Sequence, residues 1–167
     1  MSLFFSFRLF LIGLFLAIPV ILQAQEKEMG EHKTTHIMHV PTDLTWVDGP
    51  ASIPKGAKIA ILEGDPTKPG PFTFRVKFPA NYKVPPHFHP GLEHVTVLSG
   101  SLNMGLGDVF DESKATKLPV GGFSVMEVGT RHFAFTKEET VIQLHSIGPW
   151  GITYVNPADD PRNVTNK

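Results

Sequence analysis

From Trp46 onward, turn-forming residues interrupt this chain too often for helices of ordinary length to form. The 167-residue sequence has 15 glycines and 15 prolines, and they separate short apolar or alternating runs. Connections such as EGDP at 63–66 and KPGP at 68–71 combine residues that break helices with residues that favour turns. From Trp46 onward we therefore predict an all-β domain, a sandwich or a barrel, and not a parallel sheet with crossover helices.

Eight segments have the length and the patterning of β-strands. The predicted strands cover residues 58–62, 72–78, 94–99, 101–106, 122–127, 133–135, 140–146 and 152–155. One short helical segment is predicted at 111–115. A chain of this length fits one compact domain, and with 41% hydrophobic residues it can bury a core.

The N-terminus has the parts of a secretory signal. Arg8 supplies a positive flank, an apolar run follows at 9–22, and Ala24 is a small residue at a cleavage point. We predict a signal peptide at 1–24 and a periplasmic or secreted protein without stable membrane association after cleavage. The alternative is a retained anchor, because the run is near the length that spans a bilayer. The absence of a flanking Lys/Arg cluster after the run favours cleavage.

Residues 25–40 are predicted to be a polar tether between the signal and the domain. The tether holds His32, His36 and His39, which could scavenge metal. A solvated linker is the favoured interpretation, because a flexible segment loses chain entropy when it chelates. The predicted barrel domain then covers 41–160, and 161–167 form a C-terminal tail. The sequence contains no cysteine, which excludes a disulfide framework and a lipid-modified cysteine anchor.

The charge balance narrows the class of partner. The formal net charge is −1 and the sequence pI is about 6.7, with no basic stripe or acidic tail. Long-range electrostatics therefore gives no attraction to nucleic acid or to an anionic bilayer. We predict a small molecule as the partner of the domain.

Three histidines and one glutamate have the spacing of a metal site. His87 and His89 point to the same face of an extended segment, because side chains alternate along a strand. A Pro-Gly turn at 90–91 reverses the chain, so Glu93 at the start of the next strand returns to that face. His132 follows a second turn about forty residues later. Together these side chains offer three imidazoles and one carboxylate to a single divalent ion.

These positions resemble the first motif of the cupin superfamily. That motif runs Gly, five residues, His-x-His, three or four residues, Glu, six residues, Gly. The chain matches it at His87, His89, Glu93 and Gly100. Asn81 stands in place of the leading Gly, and asparagine also tolerates the left-handed backbone that a turn requires.

The second cupin motif runs Gly, five residues, Pro-x-Gly, two residues, His, three residues, Asn. The matching positions are Gly121, Gly129 and His132, with Glu127 in place of Pro and Thr136 in place of Asn. The resemblance spans roughly 41–160 and is closest to small single-domain bacterial cupins. It implies a double-stranded β-helix, the small jelly-roll barrel, with a metal inside one open end.

The donor set restricts the metal without identifying it. Three neutral imidazoles and one carboxylate around a divalent ion leave a net charge near +1. Zinc prefers four ligands and would be nearly saturated, which suits a structural or resting site. Manganese, iron or nickel would keep two adjacent positions for a substrate or dioxygen.

A metal enzyme also needs a proton shuttle or a charge partner near the open positions. We predict Glu127 and His145 as catalytic residues, although a solvent-facing strand end and a hydrogen-bonded barrel histidine are the respective alternatives. Arg131 could clamp an anionic substrate, with a surface position as the favoured alternative. Tyr82 and Gln143 are further candidates.

Two function classes follow. The first is a metal-dependent oxidoreductase, dioxygenase-like, or a decarboxylase-type lyase, acting on a small oxygen-rich substrate. The second is a non-catalytic exported protein that binds or senses a small ligand through its metal. Sugar isomerisation or epimerisation is a weaker third option, because it requires an acid and a base on opposite cavity walls. We also expect a homodimer joined through edge strands.

Overall fold

The computed structural model describes residues 36–163. The predicted signal peptide at 1–24, most of the predicted tether and residues 164–167 lie outside this range. Within residues 36–163, no helix is long and apolar enough to span a membrane. Within the described part of the predicted tether, the His39 ring donates a hydrogen bond from Nε2 to the Leu62 carbonyl over 3.1 Å.

The described part of the chain is an all-β jelly roll of two antiparallel sheets, as the sequence predicts. The strands are β1 (Val47–Asp48), β2 (Lys58–Glu63), β3 (Gly70–Phe78), β4 (Lys83–Phe88), β5 (Glu93–Ser99), β6 (Leu102–Leu106), β7 (Thr116–Leu118), β8 (Phe123–Met126), β9 (His132–Phe135), β10 (Thr140–Gly148) and β11 (Thr153–Tyr154). One sheet has the order β1-β2-β3-β10-β5-β8 and the other has the order β11-β4-β9-β6-β7. The remaining elements are single turns of 3-10 helix at Pro41–Asp43, Glu112–Lys114, Pro157–Asp159 and Pro161–Asn163.

All eight predicted strands are present, with ends that differ by up to two residues. The structure adds β1, β4 and β7, which the sequence analysis does not list as strands. The predicted helical segment at 111–115 is one 3-10 turn at Glu112–Lys114, and the Asp111 side chain caps it by accepting a hydrogen bond from the Ser113 amide.

Strand β4 accommodates two prolines because its ladder is irregular where they lie. The pairing of β4 with β9 shifts register between Val84 and His87, so Pro85 and Pro86 need no ladder hydrogen bond there. β4 still has a neighbour on each side, β9 and β11. The irregularity lies directly before the first of the predicted metal ligands.

Two turns have the backbone that the cupin motifs require. Asn81, at the leading position of the first motif, has φ of 60°, and Gly100 at the end of that motif has φ of 70°. A side chain at Gly100 would also approach the Glu139 carbonyl to 2.4 Å. Asn81 thus provides the left-handed turn in place of glycine. At position 100 glycine is required, because φ is positive and there is no room for a Cβ beside the Glu139 carbonyl.

The core lies between the two sheets. Alternate residues of the long central strands point into it, including Phe72, Val76 and Phe78 of β3 and Ile142 and Leu144 of β10. The intervening residues of β10 face outward or are only partly covered. This alternation decides which side chains reach the interior.

Candidate metal centre

Three strands bring the four predicted metal ligands to one end of the space between the sheets. His87 lies in β4 and is paired across the ladder with His132, the first residue of β9. His89 follows β4 directly, and the turn after it places Glu93 at the start of β5. The Gly129 amide donates to the His89 carbonyl over 3.0 Å, which links the turns of the two motifs.

The three imidazoles form a compact and buried group. One ligand nitrogen from each of His87, His89 and His132 lies within 4.8 Å of the others. The exposed fractions of these residues are 4%, 7% and 1%, and that of Glu93 is 5%. Residues that are polar and this deeply buried require partners, so the group calls for a ligand or a charge at its centre.

Each imidazole is oriented by a main-chain carbonyl. The Nδ1 atoms of His87, His89 and His132 donate to the carbonyls of Pro85, Gly151 and Thr130 at 2.7, 2.7 and 2.9 Å. A carbonyl only accepts, so the proton resides on Nδ1 and the Nε2 lone pair is left free. This arrangement fixes the tautomer and the ring orientation that a metal ligand needs.

The Trp150 ring holds His89 from the side. The two rings stack at a centroid distance of 4.2 Å with an interplanar angle of 16°. Trp150 also meets Phe72 edge to face at 5.6 Å, which ties the stack to the core. The His89 ring is therefore fixed both by its hydrogen bond and by packing.

Glu93 lies against two of the three imidazoles. Its Oε1 is 3.6 Å from His89 Nε2, and its Oε2 is 3.2 Å from His132 Nε2. Neither His89 Nε2 nor Glu93 Oε2 has a hydrogen-bond partner, although both atoms are buried. Two unsatisfied buried atoms with lone pairs directed at one region are the observation that fits a divalent cation.

The electrostatics of the site favour neutral imidazoles with one exception. Burial lowers the pKa of His87 well below its ordinary value, and the neighbouring imidazoles lower it further. Burial also lowers the pKa of His89, against the opposing effect of Glu93. For His132, burial is outweighed by contact with the Glu93 carboxylate, and the pKa is raised. The site thus attracts one positive charge, which a metal ion would supply in place of a proton.

A cavity of about 320 Å³ extends from the four side chains between the two sheets. Its lining comes from both sheets and from the 50–53, 66–67 and 150–152 segments. The apolar lining residues include Phe74, Val76, Val95, Leu102, Met104, Ile142 and Leu144. Such a space can hold a small molecule next to the candidate metal.

The structure places the two predicted catalytic residues outside the cavity. Glu127 lies just beyond β8, is exposed and does not line the cavity. His145 lies on the outer face of β10, where its ring stacks on His94 at 4.5 Å. The reason is strand alternation: Leu144 of β10 points into the cavity, so His145 points away.

The other candidates also lie outside the cavity. Arg131 pairs with Asp108 at 2.7 Å on the surface, as the surface interpretation requires. Gln143 accepts a hydrogen bond from Arg75 Nε over 3.1 Å. The Tyr82 hydroxyl donates to the Pro54 carbonyl, and burial raises the pKa of Tyr82.

Sequence reasoning missed the Gly151 carbonyl, which orients His89. No side-chain pattern in a sequence signals a main-chain acceptor, so this contact cannot be predicted from the sequence. For the Trp150–His89 stack, the only indication in the sequence is that an aromatic residue, Trp150, directly precedes Gly151.

Comparison with known proteins supports the assignment of the fold. RemF, a polyketide cyclase from Streptomyces resistomycificus, superposes with a TM-score of 0.62 at 20% identity, covering 76% of this chain and 90% of RemF. A putative acetylacetone dioxygenase from Methylibium petroleiphilum PM1 gives 0.57 at 20% identity, covering 76% and 86%. An RmlC-like cupin from Shewanella frigidimarina NCIMB 400 gives 0.53 at 12% identity, covering 69% and 94%.

The sequence itself matches a family model. No curated protein sequence matches the chain significantly. The model of the ChrR cupin-like domain matches residues 34–150, which include both histidine motifs. With the jelly-roll fold and the buried histidine group already in place, the chain belongs to the ChrR cupin-like domain family within the cupin superfamily.

Proposed function

We propose that this protein is a metal-dependent enzyme, a dioxygenase-like oxidoreductase or a lyase, that acts on a small oxygen-bearing substrate in the cavity. The observation that carries the proposal is the buried group of three oriented imidazoles with unsatisfied donor atoms at one end of that cavity. A polyketide cyclase and a putative acetylacetone dioxygenase share the fold. Their low identity supports the fold alone, so the reaction class rests on the site.

His87, His89, Glu93 and His132 would hold the metal. When bound, a divalent ion supplies Lewis acidity toward substrate oxygens, and a redox-active ion also supplies electrons. The protein positions the three rings through the Nδ1–carbonyl hydrogen bonds and holds the carboxylate among them. The apolar walls exclude water from the substrate, which strengthens electrostatic interactions in the cavity.

The cavity contains few groups that could move a proton. Among the described residues, its only titratable lining side chains are the four candidate ligands. Reactions that require an acid and a base on opposite walls, such as sugar epimerisation, therefore lack their machinery in this lining. A reaction in which the metal ion activates the substrate, without a separate acid and base from the protein, fits this lining better than such an epimerisation.

The shortage of titratable side chains in the cavity also favours a second candidate function, ligand binding without turnover. A cavity without a separate proton shuttle also suits a protein that binds or senses a small ligand through its metal and does not turn it over. The two functions differ in turnover and share the metal site.

We propose further that the protein is exported and forms a homodimer. The apolar run at 9–22 with Ala24 behind it supports export. The edge strand β8, where the exposed fractions of Phe123 and Val125 are 53% and 42%, supports association of two copies.

Reconstitution with single metals tests the enzyme proposal. The purified protein is loaded in turn with Mn²⁺, Fe²⁺, Ni²⁺ or Zn²⁺ and assayed for oxygen uptake and product formation on phenolic, keto-acid and thiol-acid substrates. We expect turnover with at least one of the first three metals and none in the matched Glu93→Gln protein. Full metal occupancy without turnover on any substrate would favour the binding alternative.

A further inference from the structure

The cavity is almost entirely apolar beyond the candidate metal ligands. Its lining includes aliphatic or aromatic side chains from β2, β3, β4, β5, β6, β9 and β10. Ser52, Thr67 and the Trp150 indole are its other polar side chains, and all three are uncharged. Among the described residues, no lysine or arginine lines it. A bound molecule therefore meets charge only at the end formed by the histidines and Glu93.

Charge balance at that end limits the ligand. A divalent ion with three neutral imidazoles and the Glu93 carboxylate leaves one net positive charge. A ligand that chelates as a single anion neutralises it. A second anionic group would extend into the apolar part of the cavity, where no cation would compensate the loss of its hydration.

From these observations we infer the chemical class of the ligand. The site takes an amphipathic monoanion, which binds the metal through two oxygens at one end and packs an apolar body against the cavity walls. Dicarboxylates, sugar phosphates and other ligands with a second charge are disfavoured. The inference rests on the proposed metal site and adds what the remainder of the ligand must be.

A positive charge can be added to the cavity lining at a position other than the four candidate ligands. Ile152 lines the cavity, whereas the adjacent Thr153 is exposed and does not line it. Ile152→Lys would place a cation at the lining, and Thr153→Lys would add the same charge outside. The two variants therefore separate a local effect in the cavity from a change in net charge.

Hydroxamates provide suitable probes, because they chelate metals through two oxygens as single anions and their tails can be varied. Binding of acetohydroxamate, butanohydroxamate and hexanohydroxamate to the metal-loaded protein is measured by calorimetry. Succinic monohydroxamate, which has the carbon count of the butano compound and a free carboxylate, is the charged control.

We expect affinity to rise about fourfold for each methylene that enters the cavity. The charged control should bind at least tenfold more weakly than butanohydroxamate. Ile152→Lys should reduce this preference by at least fivefold, whereas Thr153→Lys should leave it unchanged. Ile53→Lys, at a second lining position, replaces Ile152→Lys if that variant does not fold.

Different outcomes would contradict the proposed metal site and the inferred ligand class. If metal-loaded protein binds no hydroxamate, the metal has no open positions and the proposed function is wrong. If hydroxamates bind with no dependence on tail length, or the carboxylate tail binds as tightly as butanohydroxamate, the metal site stands and the inferred ligand class is overturned.

Discussion

At the level of single residues, hydrogen bonds to main-chain carbonyls prepare the imidazoles for metal. His87, His89 and His132 each donate from Nδ1, so the loss of one ring removes an oriented donor that the others cannot replace. Metal-binding energy at a site that exists only in the folded state is also folding energy. Single-residue changes should therefore affect metal content and stability together.

Substitution of one ligand should abolish tight metal binding. We expect His89→Ala to lose stoichiometric metal, measured by elemental analysis after dialysis, and to lose the thermal stabilisation that metal confers. The control is His94→Ala, because His94 lies on the other face of β5 and does not line the cavity. Equal metal content in both variants would contradict the assignment.

The histidines of the predicted tether provide a second control on the site. His32, His36 and His39 replaced together by alanine should leave one metal bound with unchanged affinity, because the proposed site does not use them. Elemental analysis and metal titration report the result. Loss of the tightly bound metal would mean that the tether supplies ligands.

Protonation of the buried imidazoles should make the metal-free protein less stable in mild acid. Burial lowers the pKa of His87 and His89 in the fold, whereas both rings titrate near 6.5 in the unfolded chain. As pH falls from 7 to 5, the unfolded state takes up protons that the folded state does not. The free energy of unfolding should decrease by up to about 1.4 kcal/mol per pH unit for each proton.

His132 has the opposite effect on the pH dependence of stability. Its raised pKa contributes stability that is fully present below pH 6.5 and is lost as pH rises through the folded-state pKa. Below pH 6.5 the lowered pKa values of His87 and His89 therefore determine how the free energy of unfolding changes with pH. Urea unfolding of metal-free protein at several pH values between 5 and 7 measures this change. Stability that is constant or higher at pH 5 would contradict the burial of neutral imidazoles.

At the level of elements, the packing of β6 against β9 depends on a glycine, because the Phe133 ring occupies the space that a Cβ at Gly105 would need. Gly105 of β6 lies opposite Phe133 of β9, and a Cβ at Gly105 would come within 2.1 Å of the Phe133 ring. The Phe133 ring is fully buried and packs against the Phe110 ring at a centroid distance of 4.7 Å. This contact keeps β9 in place, and β9 begins with a candidate metal ligand.

Gly105→Ala should therefore destabilise the domain by about 1–3 kcal/mol through overpacking. The matched control is Gly151→Ala, because a Cβ there has no heavy atom within 4 Å. Its effect should stay within about 0.5 kcal/mol. Chemical denaturation of the two variants provides the comparison, and equal stability would argue against the close packing of these strands.

The strand pattern could be predicted from the sequence where strands are long and alternate. β4 was missed because Pro85 and Pro86 are typical of strand ends, and only the register shift explains how the strand continues through them. β1 and β7, with two and three residues, are too short to give a period. Their pairing depends on neighbours that are distant in the sequence.

The candidate ligands could be predicted because they lie beside turns at motif spacing. Glu127 and His145, predicted near the open metal positions, lie outside the cavity. Alternation along a strand shows which residues share a face but not which face is interior. The apolar lining, contributed by residues such as Leu144, decides this for β10. The main-chain carbonyls that orient the imidazoles leave no trace in the sequence.

At the level of the whole molecule, the two sheets enclose an apolar cavity with one polar end. The site draws its ligands from three strands, so its geometry depends on correct packing of both sheets. Metal should in turn stabilise the entire domain, because it binds the folded state and finds no preformed site in the unfolded chain.

Removal of metal should lower the melting temperature of the domain. Free metal at 100 times its dissociation constant contributes about 2.7 kcal/mol to stability. Calorimetry before and after chelator treatment measures the loss, and readdition of metal should reverse it. A melting temperature that does not respond to metal would indicate that the histidine group does not bind it tightly.

A crystal structure of the metal-loaded protein with anomalous scattering data would show whether the four predicted ligands hold a metal ion. We expect one strong anomalous peak, enclosed by His87, His89, Glu93 and His132. A peak elsewhere, for example beside His94 and His145 on the outer face, with none among those four side chains, would contradict this expectation.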